Sequence, residues 1–164
     1  MSTPDKQHKA LFSYGHMRAT YANSDFCNSE SLLIQHFVRP EYLAALYNAL
    51  MQDKGIFFEQ PNTQQQAQLS PVSRQCLWEL HSGIMIRLLE NITGLTNLLP
   101  DTHCIHTGLR VASTSNLIGS ALFLAIYLKN GSAILHRKNH LQDNNDDILY
   151  VTYWQHAESL GAAT

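Results

Sequence analysis

Histidine is the residue type that stands out for chemistry, with nine copies among 164 residues. Its imidazole exchanges protons near neutral pH, and Tyr and Glu side chains can do the same where burial tunes their pKa values. The passage ILYVTYWQHAESL at residues 148–160 brings Tyr153, His156 and Glu158 close together in the sequence. With His106 and Tyr127, these residues are the candidate catalytic groups of a metal-free proton-transfer site. The two tyrosines also suit a packing role, because aromatic residues on strands commonly fill a core.

Paired histidines elsewhere indicate solvent-exposed side chains rather than a metal site. In the motif HCIH, His103 and His106 would face opposite sides of a strand, so they could join Asp101 around an ion only in a helix or turn. His136 and His140 would share a helix face, but they stand beside an expected turn.

Length and composition predict a single domain with a substantial core. A chain of 164 residues has the usual size of one domain, and 45% of its residues are hydrophobic while 15% are charged. The formal charge of −2 gives no basis for binding nucleic acid or an anionic membrane, because such binding needs clustered Lys and Arg.

The cysteines and the first residues favour a cytoplasmic protein. Cys27, Cys76 and Cys104 have no paired spacing, so neither a disulfide framework nor a Cys-based zinc site is expected. The opening MSTPDKQHKA is polar and lacks the apolar segment of a signal peptide. The longest apolar stretch, at residues 121–128, is too short to span a bilayer, so no membrane association is expected.

Two helices are predicted before residue 100. Pro40 marks the start of the first, and Ser70 with Pro71 marks the start of the second, which is expected to continue to Asn91 before Gly94 ends it. Each helix carries an apolar stripe at spacings of three and four, formed by Leu43, Leu46, Tyr47 and Leu50 in the first and by Leu77, Leu80, Ile84, Leu88 and Ile92 in the second.

A β-rich region is predicted after Pro100. Its β-favouring runs lie at residues 104–111, 117–128, 133–136 and 148–154, and the Lys-Asn-Gly of residues 129–131 suits a hairpin turn. A short strand precedes the first helix, and another is expected at residues 55–59 before a polar loop at 60–68. This order predicts an α+β fold with two packed N-terminal helices. Residues 1–29 form an N-terminal segment, 30–100 a strand and helix support, and 101–160 the β-rich core of one domain.

Several passages resemble the 2-oxoglutarate- and iron(II)-dependent dioxygenases of the prolyl-hydroxylase-like kind. LLIQHFVRPEYLAALYNAL (residues 32–50) and LLENITGLTNLLPD (88–101) are similar to the strand, helix and long helix of their N-terminal half. GLRVASTSNLIG (108–119), LFLAIYLKNGSAILHRKN (122–139) and the passage at 148–160 are similar to the strands around the iron site. The resemblance implies a truncated double-stranded β-helix, a jelly-roll or cupin-like barrel, with the helices packed against it.

The same resemblance implies that the iron site is lost. The family holds iron(II) with a His-x-Asp pair and a distal histidine, and the pair corresponds here to Ala121 and Phe123, which cannot coordinate a metal. Only His156 falls at a ligand-like position. The family's basic residue for 2-oxoglutarate follows the distal histidine, and here no Lys or Arg follows Lys138. Neither a metal nor 2-oxoglutarate is therefore expected as a cofactor.

These implications predict a pseudoenzyme, a degenerate dioxygenase-like protein that acts as a binding or accessory protein. It would work as a homodimer or with a catalytic partner protein, because the exposed strand edges of a shortened barrel need covering, and its pocket would have room for a small molecule. Two enzymatic alternatives stay open. One is metal-free proton transfer, as in an isomerase or a cyclase, and the other is an oxygenase with rearranged ligands that would require iron(II) and 2-oxoglutarate.

Overall fold

A computed structural model describes residues 9–22, 24, 26–29, 31–54, 67–100, 107–109, 120–137 and 147–155 of the chain. The helices in these ranges are α1 (Tyr14–Tyr21), α2 (Phe26–Ser29), α3 (Pro40–Gln52), α4 (Pro71–Leu80) and α5 (Gly83–Thr93). The strands are β1 (Ser31–Ile34), β2 (Leu98–Leu99), β3 (Ser120–Tyr127), β4 (Ala133–His136) and β5 (Ile148–Gln155). This combination of helices with an antiparallel sheet confirms the predicted α+β class.

The strands of the described residues form an antiparallel sheet in the order β1-β4-β3-β5-β2. Phe123 on the central strand β3 lies opposite His136 of β4 on one side and opposite Thr152 of β5 on the other. At one edge, β1 joins β4 with Ser31 opposite His136, and at the other edge β2 joins β5 with Leu98 opposite Gln155. Strands from before and after residue 100 therefore share one sheet.

The two faces of this sheet have different partners, because successive residues of a strand point to opposite sides. Leu122, Leu124 and Ile126 of β3 belong to the main core, which also contains buried residues of α1, α3, α4 and α5. Ala125, between them, belongs instead to a smaller apolar cluster that includes Tyr150 of β5. Helices thus pack against one face, here called the helical face, while the second face has an apolar cluster of its own.

Asp53, the residue after the last turn of α3, joins the C-terminal end of α3 to the N-terminal end of α4. Its carboxylate accepts hydrogen bonds from the Ser70 N–H at 3.0 Å, the Ser70 hydroxyl at 2.8 Å and the Ser73 hydroxyl at 2.7 Å. Burial by itself raises the pKa of Asp53, but the serine hydrogen bonds outweigh it and hold the pKa below its ordinary value of 3.8. Pro40 and Pro71 begin the two helices, as the sequence predicts.

The prediction of one continuous helix over residues 70–91 is wrong, because α4 ends at Leu80 and α5 begins at Gly83. Ser82 is the N-cap residue of α5. Its hydroxyl accepts from the Met85 N–H at 3.2 Å and donates to the Glu79 carbonyl at 2.8 Å. Ile84, expected on the inward stripe, is 50% exposed, because the break changes the phase of the helix.

Two glycines take the left-handed conformations that the predicted elements need. Gly94 ends α5 with φ of 79°, and Gly131 closes the β3–β4 turn with φ of 81°. The hairpin turn is therefore confirmed at residues 129–131, but Asn130 contributes differently from the expectation. Its side-chain oxygen accepts from the N–H and the hydroxyl of Ser132 at 2.9 and 2.7 Å, while its own φ is not positive.

The N-terminal segment contributes to the main core. Leu11, Phe12 and Met17 are buried there, and Phe12 forms a backbone bridge with Val38. The strand predicted at residues 55–59 lies outside the described residues. So does most of the loop at 60–68, and of the strand predicted at 104–111 only 107–109 are described. In the described parts of the chain, no helix is long and apolar enough to cross a membrane.

Candidate functional site

A groove of about 750 Å³ runs along α4 where the chain breaks between α4 and α5. Trp78 and Ile84 form its apolar wall, and their side chains are 70% and 50% exposed. Arg74, one helical turn before Trp78, adds a cation at the rim, since residues four apart share a helix face. Glu79, Gln75 and Tyr14 supply the polar part of the lining.

Glu79 is a buried carboxylate, only 3% exposed, that lines this groove. The Leu11 N–H donates to both of its oxygens, at 3.2 and 3.0 Å. The Tyr14 hydroxyl donates to one oxygen at 2.8 Å, and the Gln75 amide donates to the other at 2.7 Å. These donors are all neutral. Their hydrogen bonds, rather than an opposite charge, compensate the cost of burying the carboxylate. Glu79 therefore ties α4 to the segment that precedes α1.

The Tyr14 phenol is held in its protonated form by this environment. Burial raises its pKa well above the ordinary value of 10.0, and the negative charge of Glu79 and the hydrogen bond to it raise the pKa further. Tyr14 therefore stays a hydrogen-bond donor over the whole pH range in which the protein is expected to be folded.

Glu79 and Tyr14 are poorly suited to transfer a proton to or from a ligand. A general base must accept a proton from the substrate, but each Glu79 oxygen already accepts from groups of the chain itself. A general acid must release its proton, which the raised pKa of Tyr14 disfavours. What the groove offers to a ligand is the exposed indole of Trp78, the side chain of Ile84 and the guanidinium of Arg74.

The two predicted site residues in the described part of the chain are not brought together. Tyr153 lies on the helical face of β5, fully buried, and its hydroxyl donates to the Leu80 carbonyl at 2.7 Å. Tyr127 packs with the small cluster on the second face and is half-buried. The sheet separates the two phenols, so they cannot act on the same ligand.

The other predicted candidates lie outside the described residues. These are His106, His156 and Glu158, together with Asp101, His103, Cys104 and His140 of the alternative motifs. His136, expected to be exposed, is half-buried at the end of β4, opposite Phe123.

The groove residues were missed by sequence reasoning. Glu79 was the available signal, since it directly precedes the inward-facing Leu80 and lies three positions after the buried Cys76, on the core side of α4. Charged residues are almost never fully buried unless they are paired, so a carboxylate at such a position calls for donors. Gln75, four positions earlier on α4, supplies one donor. The others come from Leu11 and Tyr14, whose residue types carry no pattern that predicts the contact.

Within the described ranges, no group of three or more His, Cys, Asp or Glu residues could hold a metal ion. Comparison with known proteins finds no matching family model, no matching curated protein and no matching solved structure.

Proposed function

We propose that this chain is a degenerate relative of the 2-oxoglutarate- and iron(II)-dependent dioxygenases, built as a truncated double-stranded β-helix. It acts as a binding or accessory protein and uses neither iron nor 2-oxoglutarate. The observation that carries this proposal is the position of Phe123.

In the family that the sequence resembles, the coordinating side chains point into the barrel, away from the supporting helices. By that resemblance Phe123 corresponds to the carboxylate ligand, and it lies on the second face of the sheet, 3% exposed. Its cross-strand neighbours are His136 and Thr152. An aromatic ring there offers no oxygen to a metal. This supports loss of the iron chemistry.

The groove along α4 supports the binding role. Aromatic and aliphatic side chains that remain exposed beside a concave surface are typical of ligand sites, which combine apolar walls with a few polar groups. Trp78 and Ile84 provide the apolar contact, and Arg74 provides a positive charge. The ligand class that fits is an organic anion with an apolar body, because Glu79 has its own hydrogen bonds and leaves Arg74 as the charged group for the ligand.

The loss of oxygenase chemistry is tested by measuring binding of 2-oxoglutarate to the protein with and without manganese(II), which substitutes for iron(II) without redox chemistry. In that family, 2-oxoglutarate binds through the metal. We expect calorimetry to detect no metal-dependent binding of 2-oxoglutarate. Saturable one-to-one binding of 2-oxoglutarate that requires the metal would overturn the proposal, and a loss of that binding in His136→Ala would identify a rearranged ligand set.

The binding role is tested with anilinonaphthalene sulfonate, a fluorescent anion with an apolar body. We expect Trp78→Ala and Arg74→Gln each to weaken its binding about tenfold, equivalent to ~1.4 kcal/mol, because both remove a direct contact. Arg18→Gln, an exposed arginine on α1 outside the groove, is the matched control and should bind as the wild type does. Equal affinities in all four proteins would remove the groove from the proposal.

A further inference from the structure

Two exposed histidines from different elements are in edge-to-face ring contact on the surface. His16 lies on α1 and His36 lies in the segment between β1 and α3, and their ring centres are 5.9 Å apart with an interplanar angle of 76°. We infer that His16 and His36 form a binding site for one divalent transition-metal ion of the zinc or copper class. This site uses no residue of the groove and lies outside the proposed function.

The spacing of the rings is close to that needed for a shared ion. Zinc–imidazole bonds are about 2.0–2.1 Å long, which puts each ring centre about 3.2 Å from the ion, so two rings on one tetrahedral ion have centres about 5.2 Å apart. The observed 5.9 Å is somewhat longer, and rotation of the two exposed side chains can close the difference.

A neighbouring side chain orients the His16 ring. The Thr20 hydroxyl lies 3.5 Å from Nδ1 of His16, one helical turn further along α1. Metal-binding histidines usually use one ring nitrogen for the ion and the other for an orienting hydrogen bond. Thr20 takes the Nδ1 side, which leaves Nε2 as the coordinating atom.

The backbone on the other side of the site is held in an uncommon conformation. His36 has φ of 59°, and within the described residues Asn97 is the other residue besides glycine with positive φ. Such a conformation costs free energy in a residue with a side chain, so the surrounding structure must impose it. The chain therefore spends free energy on the backbone conformation of the residue whose ring contacts His16.

Hydrogen bonds on both sides of His36 fix it relative to α1. The Gln35 N–H donates to the Tyr21 hydroxyl of α1 at 3.0 Å, and the Phe37 carbonyl accepts from the Ser13 N–H, at the start of α1, at 3.0 Å. Preorganisation of this kind raises affinity, because little conformational entropy is lost when the ion binds.

The ligand set defines the class of ion. Imidazole nitrogen suits zinc and copper(II), whereas calcium and magnesium require oxygen ligands. No third His, Cys, Asp or Glu of the described ranges joins the pair, so water or an added ligand completes the coordination shell. The expected affinity is therefore below that of a closed structural zinc site, and it should follow the order copper(II) above zinc.

The experiment is calorimetric titration of the full chain with zinc chloride and, separately, copper(II) chloride. Because the sequence holds nine histidines, the site is identified through variants: His16→Ala, His36→Ala and the double variant, with Thr20→Val as a milder change. We expect either single substitution to weaken the tightest binding event at least tenfold and the double substitution to add nothing further, since one ligand alone does not hold the ion. Thr20→Val should weaken it less.

Nuclear magnetic resonance locates the ion independently. Copper(II) is paramagnetic, and at less than one equivalent it should first broaden the amide signals of residues 13–20 and 34–38. Both histidines are exposed, so the variants should unfold at the wild-type temperature. Unchanged affinity in the single variants, or first broadening elsewhere in the chain, would refute the site.

Discussion

Replacement of Tyr153 by Phe tests whether this residue serves the fold rather than catalysis. The substitution removes one oxygen from a side chain with 0% exposure and keeps the ring in the core. The hydroxyl donates to the Leu80 carbonyl at 2.7 Å. Leu80 is the last residue of α4, and its carbonyl would ordinarily accept from the residue four positions on, which belongs instead to α5.

The expected magnitude follows from this geometry. A buried hydrogen bond contributes about 1 kcal/mol, and leaving a buried carbonyl without its donor costs about 1–3 kcal/mol. We therefore expect Tyr153→Phe to lower the free energy of unfolding by about 1–3 kcal/mol, and to lower Tm by roughly 3–9 °C for a domain of this size.

The assay is urea unfolding followed by circular dichroism, together with a thermal melt of the same proteins. Tyr127→Phe is the matched control, because Tyr127 is half-buried on the second face, and its change should stay within about 0.5 kcal/mol. Affinity for anilinonaphthalene sulfonate should be unchanged in both variants. Equal stability of the two variants would refute the structural role of the Tyr153 hydroxyl.

Four further variants test other parts of the fold. Glu79→Gln should lower the free energy of unfolding by about 1.5–3 kcal/mol in urea, because an amide cannot accept from every donor around that side chain; a stable variant would contradict the hydrogen-bond scheme. Asp53→Asn should reduce the loss of stability between pH 7 and pH 2. The wild-type contribution is complete above the ordinary pKa of 3.8 and disappears as the pH falls through the lowered folded-state pKa. Gly131→Ala should cost about 1–2 kcal/mol, since its φ is 81°. Gly15→Ala, at an exposed position of α1 where the added carbon meets no other part of the chain within 4 Å, should stabilise by up to about 1 kcal/mol; thermal melts in which both glycine variants shift Tm in the same direction would contradict this.

Local signals in the sequence were sufficient for several elements. Pro40 and Pro71 predict helix starts because their lack of an amide hydrogen is harmless there, and both helices begin at those residues. The periodic runs at 133–136 and 148–154 predict strands that the sheet contains. These signals depend only on the residue itself and its near neighbours.

The candidate groove could not be predicted in the same way. Its polar part depends on a contact between Glu79 and the Leu11 backbone, 68 positions apart, and no side-chain pattern encodes a backbone donor. The break at Ser82 was hidden by an apolar stripe that continues through it. Serine is favoured at a helix cap, but it also occurs inside helices at a small cost, so its presence alone does not mark a break. The exposure of Ile84 follows from that break.

The edge position of β1 has a consequence for how the chain folds. Ser31 pairs with His136, more than 100 positions later, whereas β3 and β4 form a hairpin through a turn of a few residues. Closing the long loop loses chain entropy before any pairing is gained, while the hairpin forms within microseconds. During synthesis β1 leaves the ribosome long before β4 exists, so the apolar side chains of residues 32–34 lack their native cross-strand neighbours until β4 has been made. Completion of this edge should therefore limit the folding rate.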